Sequence, residues 1–125
     1  MLAWDGAPVV RASSTGAHVL IGKVKNQSAD QLKLTAAQLK VVDGDGRRIK
    51  SSVVFSWTYV RSIYPHNGIG PTEPGDYPEA EQRRVGYLLE LDAGKTGPLT
   101  VSWRQPRGRP AARIDYGRGS LAVGK

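Results

Sequence analysis

The chain has 125 residues, no cysteine, one methionine and two histidines, and its 18 Lys and Arg against 11 Asp and Glu give a net charge of +7. That length suits one domain, residues 1–125, with a core of its own. The missing cysteines exclude disulfides and thiolate metal centres, and two histidines leave little for an imidazole site. No window reaches the roughly 18–20 consecutive apolar residues of a membrane helix, and the opening Met1-Leu2-Ala3-Trp4-Asp5 lacks the basic and apolar regions of a signal peptide.

Period-two runs separated by turn residues dominate the chain, which is the signature of strands. After a short apolar stretch at Pro8-Val9-Val10, residues 18–26 read as one long strand. Its even positions carry Leu20, Gly22 and Val24, whereas its odd positions pass from Val19 and Ile21 to Lys23 and Lys25; a bulge near Gly22 would let the buried face change midway. Asn26-Gln27-Ser28-Ala29-Asp30 is turn chemistry, and residues 31–35 alternate cleanly as the next strand. Thr35-Ala36-Ala37-Gln38-Leu39 is the one place where a helical turn fits. Residues 39–43 form a strand that runs into Asp43-Gly44-Asp45-Gly46, whose two Asp-Gly pairs predict a hairpin with residues 47–50 returning.

Val53, Phe55, Trp57 and Tyr59 alternate with Val54, Ser56, Thr58 and Val60, placing an aromatic face in the core; burying Phe55 and Trp57 contributes on the order of 5 kcal/mol gross. Further strands follow at 85–91, 99–104, 114–116 and 121–123. The expected core is Val53, Phe55, Trp57, Tyr87, Leu89, Val101 and Trp103. The expected fold is all-β, an immunoglobulin-like two-sheet antiparallel sandwich of about 7–9 strands.

Between residues 61 and 82 the alternation stops, and Pro65, Gly68, Gly70, Pro71, Pro74, Gly75 and Pro78 argue against regular structure. Structureless loops of that length are uncommon in compact domains and are usually functional or disordered. This one carries Tyr64, His66, Asp76 and Tyr77 beside Glu73, Glu79 and Glu81, and is the candidate binding loop. The second candidate is a basic patch of Arg104, Arg107, Arg109 and Arg113. From Thr100 onward those four, with Arg118 and Lys125, stand against Asp115 alone, a local charge of +5.

Other constellations have simpler explanations. Asp43-Gly44-Asp45-Gly46-Arg47 has the alternation of a calcium loop, but Arg47 occupies a ligand position and no glutamate closes it. Gly94-Lys95-Thr96 matches the end of a phosphate-binding loop, yet Leu89 stands where the opening glycine belongs and Gly97-Pro98 follows where a helix should start. Asn26-Gln27-Ser28 fits a glycosylation sequon and equally a turn. His18, His66, Ser51 and Ser52 have no nucleophile-elbow context, and a metal site from His66, Asp76 and Glu79 requires only that one loop converge. No catalytic residue, cofactor, metal or small-molecule substrate is therefore assigned.

Gly22-Lys23-Val24-Lys25-Asn26-Gln27-Ser28, Leu32-Lys33-Leu34 and Leu39-Lys40-Val41-Val42-Asp43-Gly44-Asp45-Gly46 together resemble a family of bacterial immunoglobulin-like domains of unknown function, found in small secreted and lipid-anchored proteins. Val85-Gly86-Tyr87-Leu88-Leu89-Glu90-Leu91 and Pro98-Leu99-Thr100-Val101-Ser102-Trp103 resemble that family's closing strands. The resemblance implies an extracytoplasmic sandwich, often held at the envelope by an N-terminal anchor absent from this sequence, and it implies no catalytic residues. The 61–82 loop and the Arg-rich end depart from the pattern.

Three expectations about function follow. The first is a non-enzymatic binding or interaction module of the bacterial envelope or exterior, with a protein or envelope component as partner. The second is a polyanion-binding domain for nucleic acid or acidic glycan, which a cytoplasmic location would favour. The third is a phage or cell-surface structural subunit assembled through open strand edges.

Overall fold

The computed structural model describes residues 1–14, 16–55, 86–117 and 119–123. In chain order the elements are β1 (Leu2–Trp4), β2 (Val9–Ala12), β3 (Ala17–Asn26), β4 (Leu32–Thr35), a 3-10 turn (Ala36–Gln38), β5 (Lys40–Asp43), β6 (Arg48–Ile49), β7 (Ser51–Val54), β8 (Leu88–Leu91), β9 (Thr96–Arg104), β10 (Ala111–Asp115) and β11 (Ser120–Ala122). Every pairing is antiparallel. One sheet runs β1-β3-β9-β7, with β2 also on β3; a second runs β11-β10-β5-β6; β4 and β8 form a separate pair.

The protein is thus all-β with several antiparallel sheets. Leu20, Val24, Val53, Leu99, Val101 and Trp103 from the first sheet join Val41, Ile49, Ile114 and Leu121 from the second in one buried cluster, which Leu34 and Leu91 of the β4–β8 pair extend. Two sheets sharing one core is an arrangement consistent with a β-sandwich.

The β3–β9 ladder organises the first sheet. It runs without interruption from Ala17↔Arg104 to Lys25↔Thr96. Gly16 accepts a hydrogen bond from the Gln105 N–H at 2.9 Å at one end, and Asn26 N–H donates to Lys95 at 2.9 Å at the other. Antiparallel bonding alternates along a strand, so the even-numbered backbone groups of β3 face β9. The odd-numbered groups face β2 and β1, as Asp5 N–H donating to Lys23 at 2.7 Å indicates.

No bulge interrupts β3 at Gly22. Its even side, Leu20, Gly22, Val24 and Asn26, stays buried throughout, while Lys23 and Lys25 are exposed and Val19 and Ile21 half-buried. Gly22 has a different reason to be glycine. A Cβ there would lie 2.7 Å from the Trp4 ring and 3.1 Å from Pro8. Trp4 reaches across β3 to donate its indole N–H to the Ala122 carbonyl at 2.7 Å, so the ring is tied to β11.

Of the expected core, Val53, Phe55, Tyr87, Val101 and Trp103 are buried. Leu89 is partly buried and packs against the cluster, and Trp57 lies outside the described residues. The Asp-Gly hairpin forms as expected, with Gly46 at φ +85° and Val42↔Arg48 and Val41↔Ile49 paired across it. The helical turn at 36–38 also forms, as Thr35 N–H donates to the Gln38 side chain at 2.7 Å.

Gly22→Ala is expected to destabilise the fold by about 1–3 kcal/mol, because the added methyl meets a ring that cannot retreat without breaking its bond to Ala122. Urea unfolding monitored by tryptophan fluorescence measures this.

Candidate functional site

The hairpin between β5 and β6 is built around one carboxylate. Asp43 is 2% exposed. Its Oδ1 accepts from the backbone N–H groups of Asp45 and Arg47, both at 2.9 Å. Its Oδ2 accepts from Arg109 Nε at 2.7 Å. Arg109 comes from the 105–110 connection between β9 and β10, so this ion pair ties the chain's crossing between sheets to the hairpin. The Arg109 hydrogen bond, helped by the Arg47 N–H and opposed by burial, holds the Asp43 carboxyl at about 2, below its ordinary 3.8. Three N–H donors converge on a carboxylate of this kind as a structural lock.

The four arginines of the candidate basic patch occupy different settings. Arg109 is committed to Asp43, and its Nη2 lies 3.4 Å from the Arg48 carbonyl. Arg113 on β10 pairs with Asp115 two residues on, at 2.9 Å. Arg104 ends β9 and Arg107 sits in the following turn, both exposed. Arg109 and Arg113 therefore carry their own counter-charge. The other candidate residues, Tyr64, His66, Asp76 and Tyr77, lie outside the described residues. The framework at either end of their segment is described, however. Phe55 N–H donates to the Gly86 carbonyl at 2.6 Å, so residues 56–85 leave and rejoin the framework at hydrogen-bonded neighbours.

Register brings together a group that spacing does not reveal. His18, Trp103 and Ser51 share one cross-strand row. The His18 ring stacks on the Trp103 indole with centroids 5.5 Å apart and planes 17° apart. His18 Nδ1 lies 2.9 Å from the Gly16 carbonyl; a carbonyl only accepts, so that nitrogen carries the proton. Gln105 Oε1 accepts from Trp103 Nε1 at 3.2 Å and from Ala111 N–H at 3.3 Å. Beside this row lies an open groove of about 660 Å³, whose lining includes Lys50, Ser52, Ser102 and Arg104. Its polar hydroxyls and cations suit an anionic or hydroxylated ligand.

Asn26, the first residue of the sequon, is fully buried. Its Nδ2 donates to the carbonyls of Asp30 and Leu91 at 2.8 and 2.9 Å, and its Oδ1 accepts from Ser28 N–H and Oγ–H at 2.9 and 2.7 Å. The amide is used up as a turn former. The Gly94-Lys95-Thr96 stretch is likewise a turn that opens β9, with Gly94 at φ +78°.

Compared with known protein families, curated proteins and solved structures, the chain shows no match.

Because the folded Asp43 pKa lies below its unfolded value, its contribution to stability is complete above about pH 4 and is lost as the pH falls through 4 toward 2. Arg109→Ala is expected to lower the Tm at neutral pH and to flatten that acid limb, whereas Arg107→Ala leaves both unchanged. Thermal melts of the three proteins from pH 2 to 7 provide the check.

Proposed function

We propose that this chain is a non-enzymatic interaction module on an immunoglobulin-like sandwich, acting at the envelope or exterior of a bacterial cell. The strand order supports the topology. In the immunoglobulin scheme one sheet reads A-B-E-D and the other is made of C, F and G; β1, β3, β9 and β7 take the first set of places, and β5, β10 and β11 the second. β6 extends the second sheet beyond β5, and the β4–β8 pair is an addition. The location is the one that the resemblance read from the sequence implies.

The observation that carries the reading is the bond from Phe55 to Gly86. A long aromatic and acidic segment enters and leaves the framework at hydrogen-bonded neighbours, which is how binding loops are mounted on rigid scaffolds. The partner is a protein or envelope component that meets the 61–82 loop, with Arg104 and Arg107 as electrostatic adjuncts. The polyanion reading loses weight because Arg109 and Arg113 are engaged with Asp43 and Asp115.

Replacing residues 63–78 with a short Gly-Ser linker is expected to leave the Tm within about 2 °C of the parent, since long surface loops cost little to close or shorten. The same change is expected to abolish retention of the partner captured from an envelope fraction by the full chain. A partner retained equally by both proteins contradicts the loop assignment. Retention on heparin that falls steeply with salt, in place of a protein partner, supports the polyanion reading instead.

A further inference from the structure

The two strands that share the outer side of β3 end in opposite states. In β1 the alternation set by Asp5 N–H bonding Lys23, and by Gln27 N–H bonding Met1 at 2.8 Å, turns the Leu2 backbone groups away from β3. That outward Leu2 N–H is met by the Tyr116 hydroxyl at 3.0 Å, and the Trp4 indole binds Ala122 just beyond it. The outward N–H at the start of β1 is thus satisfied.

In β2 the alternation is set by Ser13 N–H donating to Ala17 at 2.8 Å. With Val9↔Ile21 and Arg11↔Val19 as partners in the same phase, the N–H and C=O groups of Val10 and Ala12 point away from β3. Among the described residues nothing meets them. All four residues of β2 are exposed, and among the described residues Val9 at 53% and Val10 at 37% are, with Met1, the large apolar side chains left in solvent. An uncovered apolar edge of this kind is a template for a further strand.

The surroundings of β2 define that strand's chemistry. An open recess of about 340 Å³ is lined by Arg11, Ala12, Ser13, Ala17, Val19 and Ile21. On the open side Arg11 falls in a non-hydrogen-bonded position, where facing side chains come closest. A second copy of β2 fits poorly. A two-fold at Arg11 sets arginine against arginine, which like charges disfavour. A two-fold at Val10 sets Pro8, which has no N–H, opposite Ala12, and one at Ala12 runs the incoming strand into the turn after Ser13. Each copy also carries +7.

We propose that the β2 edge is a docking site for an extended peptide segment of another protein, added as a strand to Val10 and Ala12, with a carboxylate side chain opposite Arg11 and apolar side chains at the flanking positions of the same face. The docking site rests on the β2 edge alone and not on residues 61–82.

The probes are the peptides acetyl-Val-Thr-Glu-Thr-Val-amide and its lysine counterpart, titrated into the full chain and followed by amide NMR shifts. The glutamate peptide is expected to shift the Val10 and Ala12 amides and to bind about fivefold tighter than the lysine peptide, with Arg11→Glu inverting that order. Val10→Pro removes an outward donor that β3 does not use, so it is expected to keep the Tm and lose the peptide. Ala12→Pro serves as a second variant should Val10→Pro fail to fold. Binding unchanged by a folded proline variant, shifts confined to other residues, or no binding of either peptide at millimolar concentration each overturns the proposal. So does a dimer of the unliganded chain that the proline variant dissolves, which would make the occupant a second copy.

Discussion

The pairing of β3 with β9 is the constraint on which the rest of the molecule depends. Because its register is unbroken from Ala17↔Arg104 to Lys25↔Thr96, the even residues of β3 from Leu20 onward turn their side chains to the core, and the even backbone groups face β9. Every odd residue is left to bind whatever arrives on the other side. Leu20, Val24, Leu99 and Val101 are thereby placed opposite Val41, Ile114 and Leu121 of the second sheet in one cluster. A one-residue slip would carry that whole set to the outer face.

Polar groups then lock the parts that the ladder leaves adjustable. Asn26 fastens the turn before β4 to the end of β8, Asp43 fastens the β5–β6 hairpin to Arg109, and Tyr116 fastens β1 to the end of β10. Each joins segments far apart in sequence, and Asn26 and Asp43 do so from positions withdrawn from water, where an unmet polar group is costly. Among the described residues, these locks leave the β2 edge and the groove beside His18 open.

Features that depend on neighbours in sequence were legible before the structure was known. The Asp43-Gly44-Asp45-Gly46 hairpin, the 3-10 turn after Thr35, and the burial of Val53, Phe55, Val101 and Trp103 all follow from local turn chemistry or period-two alternation. Features that depend on distant partners were not. Gly22 suggested a bulge because its crowding comes from Trp4, which is brought over it by a separate strand. Arg109 counted as a patch residue because spacing does not show that a hairpin carboxylate some 66 positions away neutralises it; the pairing of Arg113 with Asp115, two residues on along one strand face, is by contrast a local spacing. The stacking of half-buried His18 on buried Trp103 has no signal at all, since register alone creates it. The open β2 edge was present in the text only as three apolar letters, Pro8-Val9-Val10; that its backbone is unmet follows from the phase of its pairing.

Native-state hydrogen exchange tests the central claim most directly. If the β3–β9 ladder is the frame, the amides of Leu20, Gly22, Val24, Leu99 and Val101 exchange only through global unfolding, with one shared free energy, while those of Val10 and Ala12 exchange at rates near those of an open chain. Exchange of the ladder amides through separate local openings, or protection of Val10 and Ala12 equal to theirs, contradicts it.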